Sequence, residues 1–480
     1  MTSHSYSELV YARGFILGKR PPIFKGKNWE TVDFAGWVLS YDEVMPAAHV
    51  KDGWDEIFLL GNAIDPEAKS ALSNRQISET LLSDAQSSRD QFQATLDRLI
   101  GRFVVFLSVN GATSIQQDAT SMRAVYYADN QYETTVGSHI GLVAASVGAR
   151  SNYFGQAAYM KDNRTKVHPG VTTSHLGINR LTPNTELHLE TRAVSRVFPR
   201  RPVKHISAYS AAHSIIADVD AQIRAFQERG TPLMCSLSAG LDSRVSLALL
   251  RPYIEHVTFF TYDIGYMVAN NANRWDRDTA LELVQKHGLR HKLLHLPERA
   301  TDAGFLSVMR RNTVQTHQRT LAKAYLDDLP GDHLHIRSNV YEIGRNYYRH
   351  AGFDMDTLDG AGMLEIVSNR RSADRPSIDA FEHYKNLTRF DDAVGFGYDP
   401  LDLFYWENRM GVWMAPILHE SDVAHDTHIL LNSRSILETL LSVDLAERDN
   451  NTVFMDIIKL RWPELLETPI NGVSYLEKTT

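Results

Sequence analysis

The sequence predicts an α/β protein in two parts: a strand-rich first half, then a second half built on a parallel sheet and ending in helices. Three observations carry this reading. Residues 1–200 contain short apolar runs set off by turn residues. After residue 205, apolar runs alternate with stretches of helical spacing, and such alternation gives parallel strands joined by right-handed crossovers. From residue 305 onward the helical pattern dominates.

The elements follow in order. Phe34 to Leu39 and Glu56 to Gly61 are apolar runs near turn residues. Arg102 to Val109 meets Asn110-Gly111, a strong hairpin signal, with Ser114 to Asp118 as the returning strand. Ala124 to Tyr127 is a further strand. Phe92, Leu96 and Leu99 sit at helical spacing and predict a helix near 86–100. Phe198-Pro199-Arg200-Arg201-Pro202 has the texture of a linker, which divides the chain into domains at 1–200 and 201–480. Ala208 to Arg229 then predicts a helix and Pro232 to Leu237 a buried strand. Ser246 to Leu250 falls in a helix, His256 to Tyr262 in a strand, Asp276 to His287 in a helix and Leu293 to Leu296 in a strand.

Composition narrows the class. Hydrophobic residues make up 43% and charged residues 22%, as in globular proteins. The net charge of −8 argues against a nucleic-acid partner, which wants a basic face. A single cysteine, Cys235, excludes a disulfide framework and points to a reducing compartment. No run approaches the ~20 apolar residues of a membrane span, and the N-terminus has no secretory pattern. The expected location is the cytoplasm, with no membrane partner.

The chemistry concentrates at Leu233-Met234-Cys235-Ser236-Leu237-Ser238-Ala239-Gly240-Leu241-Asp242-Ser243, an apolar strand running through a small-residue turn into a helix. Such a turn directs backbone amides and the positive helix end at one point, where a phosphate fits. Ser238 and Ser243 offer hydroxyls, Gly240 permits close backbone approach, and Asp242 suits Mg²⁺ rather than phosphate. No lysine follows the glycine, so this is not a Walker loop. A plain serine-rich turn with Asp242 as a helix cap is the alternative.

The segment resembles the Ser-Gly-Gly-x-Asp-Ser pyrophosphate loop of the asparagine-synthetase family of ATP pyrophosphatases, with Ala239 in place of one glycine. Thr258 to Tyr262 resembles that family's next strand, Asp276 its Asp-bearing helix, and Gly288-Leu289-Arg290-His291 the end of that helix. The resemblance implies that ATP is cleaved to AMP and pyrophosphate. It implies Ser236, Ser238, Ala239, Gly240, Leu241, Asp242, Ser243, Phe260, Thr261, Tyr262 and Ser338 as nucleotide-binding positions. Aligning His335 to Tyr347 with the family's Gly-x-Gly-x-Asp-Glu-x-x-Gly-Gly-Tyr gives Glu342 and Tyr347 catalytic positions and makes Asp242 and Glu342 the Mg²⁺ ligands. Tyr341 takes the place of an aspartate, which puts the metal site in question. The family's late lysine has no clear counterpart; Lys459 and Lys478 are the candidates, and Pro469-Ile470-Asn471 lies near the expected place. Asn432 and Arg434 are placed either at a substrate carboxylate or as ties between helices, and Glu342 either in catalysis or as an ion-pair partner of Arg345 or Arg337.

Leu99 to Val105, Asp118, Ala124 to Tyr127 and Gly177 to Asn184 resemble the glutaminase half of the glutamine-dependent members. That implies a β-rich sandwich of the N-terminal-nucleophile type. Thr2 stands where those members have cysteine, and their glutamine-binding runs are missing, so the domain is expected to be inactive. The function implied is adenylation of a carboxylate followed by amide formation with an amine other than glutamine-derived ammonia. Lasso-peptide cyclases and β-lactam synthetases are similar in this respect, and a natural-product or peptide-modifying role fits. The alternatives are asparagine-type amidation and a non-catalytic scaffold. The expected ligands are ATP, Mg²⁺, a small-molecule or peptide carboxylate and an amine; a peptide or carrier partner and a homodimer are left open.

Overall fold

The computed structural model describes residues 6–23, 26–152, 158–159, 166–263, 271–296, 303–313, 319–368 and 375–475. It is a mixed α/β architecture with a β-rich first half and a parallel sheet in the second, as the sequence predicts. The first half comprises β1 (Phe15–Gly18), β2 (Trp29–Phe34), β3 (Trp37–Asp42), β4 (Ala47–Asp52), β5 (Asp55–Ile64), α1 (Asn74–Ser87), α2 (Arg89–Arg98), β6 (Ile100–Val109), β7 (Ala112–Gln117), β8 (Tyr126–Ala128), β9 (Thr135–Gly137) and α3 (Ile140–Val147). The short strands β10 (Ala158–Tyr159), β11 (Lys166–Val167), β12 (Ile178–Arg180), β13 (Thr185–His188) and β14 (Val194–Arg196) follow.

Two six-stranded antiparallel sheets form a sandwich, ordered β12-β8-β9-β1-β3-β2 and β14-β13-β7-β6-β5-β4. Alternation along the strands explains the layers. Phe58, Leu60, Val104 and Phe106 face the first sheet and meet Phe15, Leu17, Trp37 and Leu39. Ile57, Leu59, Phe103, Val105 and Leu107 face the other way and meet Ile77, Leu81, Phe92 and Leu96 of α1 and α2. Both faces of β5 and β6 are therefore buried, which is why these strands are apolar throughout. Asn110 (φ 53°) and Gly111 (φ 78°) make the predicted turn between β6 and β7. The run Phe34 to Leu39 is not one strand but a hairpin that turns at Ala35-Gly36. The helix α1 was not predicted, although Ser73 and Gln76 form a capping box that signals its start.

Gly61 (φ +107°) and Gly101 (φ +145°) lie on the paired strands β5 and β6. A Cβ on Gly101 would stand 2.1 Å from the Asn62 carbonyl oxygen, and one on Gly61 2.3 Å from that of Arg102. This close approach sets the strand pair from which Asn62 and Arg102 reach the second half. Gly101→Ala combines a forbidden φ with a backbone clash. It is expected to lower stability by about 2 kcal/mol or more, read as a shift in the urea midpoint.

The predicted linker is ordered: Val194–Arg196 is a strand, and Phe198 is 4% exposed against Trp406. The second half begins with α4 (Ala208–Arg229) and continues through β15 (Leu233–Ser236), α5 (Leu241–Leu249), β16 (Val257–Asp263), α6 (Asn271–His287), β17 (His291–His295), β18 (Leu334–Ile336) and β19 (Thr427–His428). The five strands are parallel, in the order β17-β16-β15-β18-β19. The chain leaves β15 for β16 on one side, and β18 later docks on the other. The carboxyl end of β15 is thus a topological switch point, the place where open parallel sheets receive ligands. Among the described residues no helix is long and apolar enough to cross a membrane.

Buried ion pairs join the halves. Arg102 on β6 grips Asp422 with two bonds of 2.5 and 2.7 Å, both side chains at most 1% exposed. Arg123 lies 3.2 Å from Asp426, which also accepts from Asn62 at 2.6 Å. Asn432 bonds the carbonyl of Gly101 and Asp118, and Arg434 reaches Asn184 and the carbonyl of Gln117. Asn432 and Arg434 are therefore structural ties, but between the halves, with partners on strands and loops rather than between helices as predicted.

Candidate functional site

The loop Leu237–Gly240 leaves β15 at the switch point and opens α5. Its hydrogen bonds differ from a set of amides all aimed outward. Ser238 N–H donates to Ser243 Oγ (3.2 Å), Ala239 N–H to Asp276 Oδ1 (3.0 Å) and Gly240 N–H to Ser238 Oγ (3.2 Å). The Ser238 and Ser243 hydroxyls are 2.9 Å apart, and Ser243 donates back to the carbonyls of Ser238 and Gly240. These three amides and both serines build the turn. The helix cap is Gly240, which has no side chain to accept. The amides of Leu241, Asp242 and Ser243 therefore have no intrahelical or cap acceptor, and they carry the anion-binding capacity. Gly240 has φ −73°, so it is not there for a left-handed turn; a Cβ on it would lie 3.3 Å from Ser238 Oγ.

β15 ends at Ser236 in register with Phe260 of β16. Phe260 is fully buried and its carbonyl accepts from Leu237 N–H at 2.8 Å. Thr261 is 3% exposed and donates to the Leu237 carbonyl at 2.8 Å. Both hold the loop from beneath, Phe260 through its carbonyl and Thr261 through its hydroxyl. Tyr262 is the one predicted nucleotide residue of β16 that is part-exposed beyond the end of β15.

The second wall follows β18. Val340 (φ 69°) and Asn346 (φ 52°) bracket the turn Tyr341–Gly344, and a β-branched residue at positive φ is a strained position of the kind that clusters at sites. Tyr341 is fully buried, with its hydroxyl 2.8 Å from Ser246 Oγ. Ser338 donates to the same Ser246 hydroxyl at 2.8 Å. Arg345 donates through Nη1 to Asp242 and through Nε to Asn451 Oδ1 at 2.7 Å. Arg337 bonds Asn339 and Ser421. Glu342 therefore does not pair with Arg345 or Arg337 among the described residues. Burial first and the charge of Glu342 second push the Asp242 carboxyl up to about 7, against the opposing charge of Arg345.

These donors do not fit a protein-held Mg²⁺ site. The Asp242 carboxylate faces a guanidinium, and Tyr341, at the position of the family's aspartate, is committed to Ser246. Among the described residues no group of three or more His, Cys, Asp or Glu could hold a metal ion.

Tyr347 starts the short helix Tyr347–His350 and leads to a feature the sequence did not disclose. Tyr405–Met414 winds as a π-helix, a rare form that is frequent at functional sites. It presents Arg409, whose guanidinium lies 4.9 Å from the Tyr347 ring, 5.7 Å from that of Tyr405 and 4.7 Å from that of Trp413. Among the described residues no carboxylate lies within ion-pair distance of it. The aromatic box escapes a reading of the sequence because it needs Tyr347 from another element.

Of the two lysine candidates, Lys459 does not reach the loop. Lys459 lies on the exposed face of the helix Thr452–Arg461, 4.0 Å from Asp456. It is about 12 Å along that helix from Asn451, the residue that meets Arg345. Lys478 and Thr2 lie outside the described residues. Pro469-Ile470-Asn471 does arrive at the site: Asn471 N–H donates to the Ala239 carbonyl at 3.0 Å. Cys235 is buried with its thiol pushed up to about 12, which excludes it as a nucleophile. A cavity of 870 Å³ lined by Met355, Leu358, Glu365, Lys385 and Asp391 includes none of these residues.

No family model and no curated protein matches the chain. Several solved structures superpose on parts of it. An NMN synthetase from Francisella tularensis shares 12% identity over 42% of this chain and 94% of its own, with a TM-score of 0.21. An NH3-dependent NAD synthetase from Campylobacter jejuni shares 16% over 44% and 96%, with a TM-score of 0.23. A glutamine phosphoribosylpyrophosphate amidotransferase from B. subtilis shares 12% over 77% and 76%, with a TM-score of 0.24.

Proposed function

We propose that the chain is an ATP-dependent amide synthetase that adenylates a carboxylate, releases pyrophosphate, and passes the acyl group to an amine. The observation that carries this reading is the set of unaccepted amides of Leu241, Asp242 and Ser243 at the switch point of the parallel sheet. Residues 1–200 and 201–480 are its two domains in this reading, the second holding the nucleotide.

A carboxylate oxygen attacks the α-phosphorus of ATP, and the bond to the bridging oxygen breaks. The departing pyrophosphate keeps the electron pair, and the amides of Leu241 to Ser243 stabilise its charge. Arg409 in its aromatic box is placed to hold an anionic group of the acyl substrate, because a guanidinium pairs in two-pronged fashion with carboxylate. The amine then attacks the acyl carbon and AMP leaves. Glu342 takes the proton that the amine loses, and Tyr347 orders the box beside it. Most of the rate enhancement comes from positioning. The amine is not glutamine-derived ammonia, and a peptide or natural-product substrate suits an acceptor of that kind.

The test uses magnesium, ATP and a panel of carboxylic acids, with hydroxylamine as the amine. Pyrophosphate, AMP and a hydroxamate are expected in equal amounts with an accepted acid. Arg409→Met is expected to raise the KM for that acid about a hundredfold and to leave the KM for ATP within about twofold. Absence of pyrophosphate with every acid, together with no ATP binding by calorimetry, rules the reading out.

A further inference from the structure

We propose that Arg345 supplies, beside the first turn of α5, the positive charge that a protein-bound divalent cation would otherwise supply to the triphosphate. The inference rests on the nucleotide reading above and concerns how that nucleotide is held.

Four observations bring the guanidinium to this role. It is fixed at both ends, by Asp242 and by Asn451, so its position is set before any ligand arrives. Asp242 is the second residue of α5, so the guanidinium stands within a side chain's length of the unaccepted amides. The Arg345 side chain is 23% exposed, which leaves one side open to a ligand. The neighbouring positions suit a cation poorly, since Tyr341, at the place of the family's aspartate, is a phenol stacked on Phe454, and the Asp242 carboxylate already faces Arg345.

The exchange on binding is simple. In the free protein Asp242 is the counter-ion of Arg345. Asp242 takes Nη1 and Asn451 takes Nε, so among the described residues Nη2 is left for a further acceptor. A phosphate oxygen carries more charge and accepts two parallel N–H bonds from the same fork. The triphosphate displaces Asp242, and the guanidinium and helix amides then grip one anion together. No bond is made or broken. Arg345 is a binding residue for phosphate, and Asn451 a positioning residue that aims it.

Calorimetric titration of ATP in excess chelator and in millimolar magnesium tests this. Wild-type protein is expected to bind ATP in both, with dissociation constants within about threefold. Arg345→Ala is expected to weaken binding without metal by about tenfold or more and to make binding magnesium-dependent. Arg345→Lys keeps the charge and should recover most of the affinity, which a purely structural role would not produce. Manganese resonance spectra give a second readout: the wild-type chain alone should leave Mn²⁺ free, and Arg345→Ala should bind it at Asp242 and Glu342. If wild-type protein binds ATP only with magnesium and Arg345→Ala binds it equally well, the inference fails and the nucleotide reading stands. If ATP binds under neither condition, both fail.

Discussion

Three buried histidines are expected together to withdraw about 6 kcal/mol of folding free energy on acidification from about pH 7.5 to about pH 5, a loss that the raised carboxyls of Asp218, Asp242 and Asp402 partly offset. His419 is held at about 3, His425 at about 3 and His428 at about 4, each chiefly because burial disfavours the charged ring. Their surroundings leave no room for a second proton. His425 Nε2 and His335 Nδ1 share one hydrogen bond of 3.0 Å, so both rings protonated would set two donors face to face. His419 stacks on His139 at 4.4 Å, with Arg102 and Arg123 adding like charge. His428 is tied to Gln222 at 2.8 Å.

The sign follows from the lowered values. Between the unfolded value near 6.5 and the folded values near 3 and 4, the unfolded chain takes up protons that the folded chain refuses. Stability therefore falls as pH drops below about 6.5, by about 2 kcal/mol per histidine at pH 5. Asp426 acts in a different window. Its carboxyl, held at about 2 by Arg123, Arg102 and Arg13 against its burial, loses its contribution only below about pH 4. Thermal unfolding followed by near-ultraviolet circular dichroism across this range checks the prediction. The fall in melting temperature between pH 7 and pH 5 is expected to be smaller in His428→Gln than in the wild type, and an equal fall contradicts the prediction.

Asp422→Ala is expected to destabilise the protein by about 3–5 kcal/mol, more than any surface change. The carboxylate is fully buried and takes both Nη groups of Arg102, and Arg13 donates to its backbone carbonyl. Its removal leaves a guanidinium that is 1% exposed with only a longer carboxylate contact, 3.5 Å to Asp426, among the described residues. The loss comes from the poorly paired charge rather than from the pair's own worth. Replacing both partners by apolar residues, Arg102→Met with Asp422→Leu, is accordingly expected to recover more than half of the loss. Urea unfolding of the single and double variants decides between these accounts. A double variant as unstable as the single one would show that the ion pair itself supplies the stability.

Local sequence determined the elements whose signals lie within a few residues. Asn110-Gly111 fixed a hairpin because both residues tolerate positive φ. The helix α4 was legible from Ala208 to Arg229 because its apolar stripe is regular, and the loop after β15 was legible because strand, small residues and helix are contiguous. A capping box at Ser73 and Gln76 marks the start of α1 in the same local way.

Tertiary structure alone decided how the site is composed. Arg345 and Asp242 are 103 residues apart, and no periodicity links them. The alignment that named Asp242 a metal ligand could not show that a guanidinium already faces it. Asn432 and Arg434 carry side chains fit for a substrate, yet they meet β6, β7 and the segment near Asn184 instead. Arg409 gains its aromatic box only because a π-helix turns it toward Tyr347. Backbone propensity and hydrophobic period act over one to four residues, so they are written in order along the chain. Charge pairing and ring packing act through space, and the sheet's strand order decides which distant residues come within their reach.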